Sequence, residues 1–278
     1  MFRLCESRSA LDMTGRKEKK PKVLESGQIR REHKGCFAFQ GEPGLHRLVD
    51  LYNRGHLSNA VELSLFKLPI ADLSFLSNLK KLKNLRINTN SYSAIDVSKL
   101  RKLSSLELTG SVIQKIHNLE RARYLKTLVL NSPSSSDLAA VGGFAKELYI
   151  HGVPEIWPVL VETSKLCKIK IYPTRRGPLD LGNMSELGNL RSLDLNSVRK
   201  GVINMASLTR LTKLQEFHLW DVDSIDSKSW LFELPKLRMV TIWGRNNFTQ
   251  AEKETLANLG ILDTKDPKSL LREIFRRT

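Results

Sequence analysis

Apolar residues recur along this chain in one short pattern, L-x-x-L-x-L, with other aliphatic or aromatic residues replacing some leucines. The pattern reads AVELSL from Ala60, LKNLRI from Leu82, LSSLEL from Leu103, LKTLVL from Leu125 and AKELYI from Ala145. It continues as LCKIKI from Leu166, LRSLDL from Leu190, LQEFHL from Leu214 and LRMVTI from Leu237. Successive starts differ by 22, 21, 22, 20, 21, 24, 24 and 23 residues. Within each copy apolar and polar positions alternate, which predicts a short strand followed by a turn and a return stretch. No single unit can bury its own leucines, so neighbouring units must stack, and stacked strands form a parallel sheet. The consensus leucines then face the core and the residues between them face outward.

The flanks carry a different pattern. Leu45, Leu48, Val49 and Tyr52 recur at helical spacing, with Pro43 suited to the first turn and Gly55 to the stop, which predicts a helix over 43–55. Thr249 to Leu259 reads as a second helix, with Thr249 as N-cap and Gly260 as stop. A last helix is expected from Asp266-Pro267, carrying Leu270, Leu271, Ile274 and Phe275. Residues 1–40 lack such periodicity and are expected to be a flexible basic arm. The expected organisation is an arm over 1–40, an N-terminal capping helix within 41–59, a solenoid over 60–248 and a helical cap over 249–278. Caps are needed because the ends of such a stack expose core and strand edge.

Over Ala60 to Phe248 the chain resembles a leucine-rich repeat protein. The first copy, with Leu63, Leu65, Leu68, Ile70, Leu73, Leu76 and Leu79, and the third, with Leu106, Leu108, Ile113, Ile116 and Leu119, are similar to the 22-residue class of phosphatase regulatory subunits and internalins. The resemblance implies an α/β fold: a leucine-rich repeat solenoid with a curved parallel β-sheet of about nine repeats and helical caps at both ends. The family usually places Asn three residues after the last consensus leucine. Here only Asn90 does so, and the other positions hold Leu68, Ser111, Pro133, Val153, Thr174, Val198, Val222 and Arg245.

A solenoid usually works through its exposed sheet face. One outward column reads Ser64, Arg86, Glu107, Val129, Tyr149, Lys170, Asp194, His218 and Thr241. The next reads Phe66, Asn88, Thr109, Asn131, His151, Tyr172, Asn196, Trp220 and Trp243. The first half is small or polar and the second gathers the aromatics. Solvent-facing Tyr and Trp point to a partner-binding surface, because interface centres are enriched in them. The alternative is packing against a sheet edge, the C-terminal cap or a long loop, with Trp243 the residue nearest that cap. The candidate partner-binding residues are Tyr149, His151, Lys168, Lys170, Tyr172, Asp194, Asn196, His218, Trp220 and Trp243. Glu216 and Asp221 lie among them. Phe66, alone at the front, is expected to be covered by the arm or the first helix. Trp157 and Trp230 fall in return stretches and are expected to be core.

Composition sharpens this. The chain has 278 residues, 45 of them leucine, with 45 Lys+Arg against 29 Asp+Glu, a formal net charge of +16. An excess of positive charge favours acidic partners. The expected partner is therefore a protein or peptide, acidic or able to accommodate aromatics, met as a monomer on the concave sheet face. Nucleic acid bound through the basic arm and loops is the alternative. No apolar run suits a signal peptide or a membrane span, and the three cysteines, Cys5, Cys36 and Cys167, form no disulfide or zinc spacing. A cytoplasmic location is the expectation. His151 and His218 stand three repeats apart, about 14 Å at strand spacing, too far to share a metal. Asp221-Val222-Asp223-Ser224-Ile225-Asp226 opens like a calcium loop but lacks its Gly and final Glu, which favours a turn capped by aspartates. Phosphate-loop, metalloprotease and nucleophile-elbow motifs are absent from the sequence. Neither catalysis nor a cofactor is expected.

Overall fold

The computed structural model describes residues 35–70, 72–88, 95–109, 116–141, 143–152, 157–160, 163–173 and 177–263. Its strands are β1 (Cys36–Gln40), β2 (Glu62–Phe66), β3 (Asn84–Asn88), β4 (Ile95–Asp96), β5 (Ser105–Thr109), β6 (Ile116–His117), β7 (Thr127–Asn131) and β8 (Glu147–His151). They continue as β9 (Lys168–Tyr172), β10 (Leu179–Asp180), β11 (Ser192–Asn196), β12 (Val202–Ile203), β13 (Glu216–Trp220), β14 (Met239–Trp243) and β15 (Leu262–Asp263). The helices are α1 (Gly41–Asn53), α2 (Ser135–Val141), α3 (Trp230–Glu233) and α4 (Gln250–Asn258).

The nine strands drawn from the repeat all lie in one parallel sheet of eleven, ordered β1-β2-β3-β5-β7-β8-β9-β11-β13-β14-β15. Each consensus position meets its counterpart on the next strand, as in Leu63 with Leu85 and Leu128 with Leu148. Those leucines are almost fully enclosed, in a core that runs from Phe39 to Leu256. Burying each such side chain contributes about 1.5–3 kcal/mol. The return stretches are mostly single turns of 3-10 helix, such as Ser74–Asn78 and Met205–Arg210. Two small parallel ladders, β4 with β6 and β10 with β12, stitch these returns together. Trp157 and Trp230 are buried in the returns, and Trp230 packs edge-on against Phe217 at 4.9 Å.

The strand exits show how the turn closes without the family's asparagine. Leu68, Val198 and Val222 at that position are buried apolar plugs. The residue just after the strand is left-handed instead: Lys67 at φ 48°, Ser132 at 54°, Gly152 at 78°, Ser197 at 57° and Asp221 at 51°. Each donates its backbone N–H to the last carbonyl of the neighbouring strand, as Ser132 does to His151 and Ser197 to Trp220, both at 2.6 Å. Asn90 lies outside the described residues.

The flanks depart from expectation in two places. Within the expected C-terminal helical cap, Leu262–Asp263 form strand β15 parallel to β14. The other departure is at the front. Residues 36–40, assigned by sequence to the arm, form strand β1 in register with β2, Phe37 opposite Leu63 and Phe39 opposite Leu65. Phe39 is buried, so this segment extends the core by one layer. The rest of the arm and the helix expected from Asp266 lie outside the described residues. Helix α1 starts at Gly41, places Pro43 in its first turn and is followed by Gly55 at φ 71°. Thr249 caps α4 through a reciprocal pair of bonds with Glu252. That cap is tied back to the solenoid by Lys228, whose Nζ lies 2.8 Å from Glu252 Oε2. Among the described residues no helix is long and apolar enough to cross a membrane.

Candidate functional site

Register alone brings the candidate residues together. Tyr149 stands opposite Lys170, Lys170 opposite Asp194, Asp194 opposite His218 and His218 opposite Thr241. One position further along the strands, His151 faces Tyr172, and Asn196, Trp220 and Trp243 follow in line. Lys168 begins β9 between Glu147 and Ser192. All ten lie on one face of the sheet between β8 and β14.

Their environments differ sharply. Asp194 is 3% exposed although its column faces outward. Its Oδ2 lies 2.9 Å from Lys170 Nζ, while its Oδ1 is buried without a hydrogen-bond partner among the described residues. Burial alone pulls the Lys170 ammonium down, but the Asp194 charge and hydrogen bond, with smaller help from Tyr172 and Tyr149, leave it above its ordinary value. Burial, reinforced by the Glu147 carboxylate, pushes the Tyr149 phenol up to about 12. Tyr149 Oη donates to Glu147 Oε2 at 3.2 Å.

The aromatic groups pair. The His151 and Tyr172 rings stack 4.6 Å apart at 9°, a nearly parallel contact. Burial lowers the His151 imidazole, with Glu107 pulling the other way. Trp220 and Trp243 approach to 6.0 Å at a tilt of 58°. Trp243 is 46% exposed, so the cap leaves it in solvent. Trp220 is half-buried and its Nε1 has no acceptor among the described residues. His218 Nδ1 sits 3.0 Å from Thr241 Oγ1, and its Nε2 is 3.9 Å from Glu216. Interaction with His218 holds the Glu216 carboxyl below its usual range, against the opposing effect of burial.

From the column formed by the first residue of each strand, sequence reasoning named Lys168 and Glu216 but passed over Glu147. Glu147 belongs to it and links Tyr149 to Lys126, whose Nζ is 3.4 Å away. The same period of two that gave the other columns gives this one. The Asp221–Asp226 loop turns out to cap neighbouring turns. Asp221 accepts from the Arg245 backbone at 3.2 Å, and Asp226 accepts from those of Asn204 and Met205. Among the described residues, no group of three or more His, Cys, Asp or Glu is placed to hold a metal. Two cavities lie elsewhere: about 560 Å³ beside α1, lined by Leu45, Tyr52 and Phe75 among others, and about 700 Å³ beside Lys102.

Nine in-phase sequence units occupying consecutive strands of one parallel sheet decide the architecture. The chain is a leucine-rich repeat solenoid. No family model matches the sequence, and no curated protein matches it. Solved structures do resemble it. An internalin, InlF, from Listeria monocytogenes is 19% identical, with a TM-score of 0.45 over 74% of this chain and 61% of that one. Internalin C2 of the same organism is 20% identical, with a TM-score of 0.37 over 75% of this chain and 80% of that one. The plant peptide hormone receptor RGFR1, solved in complex with RGF2, is 14% identical, with a TM-score of 0.45 over 79% of this chain and 37% of that one. This solenoid thus spans less than two thirds of InlF's length. The repeat assignment itself rests on this chain's own period and register.

Proposed function

We propose that the sheet face between β8 and β14 is a non-enzymatic recognition surface for a protein or peptide. The observation that carries this reading is the run of aromatic rings along the outward columns: His151 stacked on Tyr172 at 4.6 Å, and half-buried Trp220 beside Trp243, which is 46% exposed, at 6.0 Å. An incoming segment lays its apolar groups on these four rings. Such aromatic anchors dominate interface energetics. Tyr149, Lys168, Lys170, Asn196 and His218 frame the segment and fix its orientation. The face does not favour the acidic partner expected from net charge, because Lys170 is matched by Asp194, Lys168 stands opposite Glu147, and Glu216 follows one strand beyond Ser192 in the same row.

The test is peptide display selection against the full chain, repeated with Trp220→Ala and Tyr172→Ala. Expected is an enriched family of segments bearing aromatic and aliphatic side chains, lost with either substitution. Retention of the same segments by both folded variants would overturn the reading.

A further inference from the structure

The basic charge of this chain looks scattered in sequence, but the turns sort it. Consider the residue that immediately precedes each repeat strand. Backbone hydrogen bonds run Lys83 to Val61, Ser104 to Lys83, Lys126 to Ser104 and Lys146 to Lys126, all between 2.8 and 3.0 Å. They continue from Cys167 to Lys146, Arg191 to Cys167, Gln215 to Arg191 and Arg238 to Gln215 over the same range. These nine residues are therefore one unbroken column along the edge where the strands begin. Five are cations, all exposed, and none is an acid.

A second column stands just before the consensus leucine. Lys81, Lys102, Lys165, Lys213 and Lys236 belong to it, each exposed, and again no acid interrupts them. Its remaining members include Tyr124, 71% exposed. The two columns hold ten cations in eighteen positions, where the composition of the whole chain would supply about three. Lys81 and Lys213 donate to Asn59 and Asn189 at 2.6 Å, which holds them along the edge without neutralising them. Only Lys126 has a carboxylate within reach, Glu147 at 3.4 Å, among the described residues. At the front of this edge the cavity of about 700 Å³ is lined by Lys80, Lys99, Arg101, Lys102 and Arg121. Of these, Arg121 has Glu120 at 3.9 Å, and Lys99 lies close enough to Asp96 for its charge to lower that carboxyl.

We infer that this strand-entry edge binds the phosphate backbone of single-stranded nucleic acid. The cations stand at multiples of the strand spacing, about 4.8 Å, and run from Lys81 to Arg238 over roughly 34 Å. That is a narrow rail, which suits a linear polyanion better than a lipid plane. Exposed Tyr124 stands on the rail and offers a ring on which a base can stack, the combination of basic track and aromatic platform used for single strands. The site is separate from the aromatic face and does not depend on it.

The experiment is fluorescence anisotropy of the full chain with labelled 30-nucleotide single-stranded RNA and DNA, between 50 and 200 mM salt. Engagement of about five phosphates gives a log–log slope near −3.5, so affinity falls by about 100-fold over that range. The triple variant Lys102→Glu, Lys146→Glu, Lys165→Glu is expected to bind at least tenfold more weakly with a flatter slope. A second triple variant, Arg199→Glu, Lys200→Glu, Arg245→Glu, makes the same change in charge away from the rail and should bind nearly as the parent does. Tyr124→Ala should weaken binding and leave the slope unchanged. All of these positions are exposed, and circular dichroism of each variant is the check that it folds. Equal losses in the two triple variants, absence of binding at 50 mM salt, or tighter binding to phosphatidylserine vesicles than to the oligonucleotides would each overturn the inference.

Discussion

Replacing Lys170 by Met tests whether the middle of the aromatic face is as dry as its geometry indicates. The ammonium and the Asp194 carboxylate lie 2.9 Å apart, with side-chain exposures of 23% and 5%. Two unit charges at that distance attract by about 6 kcal/mol at an effective dielectric constant near 20. Desolvation offsets much of this, yet removing one partner strands the other charge, which typically costs about 3–5 kcal/mol. Lys170 keeps some contact with solvent, so the lower end, about 3 kcal/mol, is expected for Lys170→Met. Replacing both residues, with Asp194→Leu added, should restore the parent stability or exceed it, because the carboxylate's second oxygen has no donor to lose. Urea unfolding followed by circular dichroism measures both, provided the denaturant slope is unchanged. A loss below about 1 kcal/mol in the single variant would refute a desolvated Asp194. The double variant also separates stability from recognition: it should hold its fold while losing the selected peptides.

Three other outcomes are expected. Trp230→Ala removes a fully buried ring from its contact with Phe217 and should cost about 3–5 kcal/mol in the same urea assay. Thr249→Ala breaks the reciprocal cap of α4 and should cost about 1 kcal/mol, read as earlier hydrogen exchange in Gln250–Asn258. Stability should fall as pH rises above about 10. The Tyr149 phenol and the Lys170 ammonium both hold their protons more tightly folded than unfolded, so each contribution is complete below the unfolded value and lost through the folded one. Tyr149→Phe should flatten the part of that decline between pH 10 and about 12, and an unchanged profile would count against a buried phenol.

The fold was legible because its information is periodic. The consensus leucines named the core, the alternation named the outward columns, and Thr249 with Gly260 marked α4. Strand β1 escaped because its unit, KGCFAF, opens with Lys34 where every other copy opens with Leu or Ala. The inward character of Asp194 escaped for another reason. Its burial depends on Lys170 and on neighbouring side chains a full repeat away, and period-two reasoning assigns a direction but no depth. The basic rail sits at the second position of the repeat and at the one before its first, which the outward columns leave aside; the backbone bonds between turns put Lys83, Lys126 and Lys146 in one line.

The left-handed strand exits carry a consequence for engineering. Lys67, Ser132, Ser197 and Asp221 hold a backbone conformation that L-residues adopt at a penalty, on the order of 1 kcal/mol each. Gly152 and Gly244 occupy the equivalent exits without that penalty. Nothing in the turn requires the Lys67 or Ser132 side chain, since the closing bond comes from the backbone. Glycine at Lys67 and Ser132 relieves that penalty, offset in part by the extra entropy of an unfolded glycine, and leaves the aromatic face, the basic rail and the Asp221 cap untouched. A scaffold hardened this way would tolerate the costlier substitutions needed to redirect either surface.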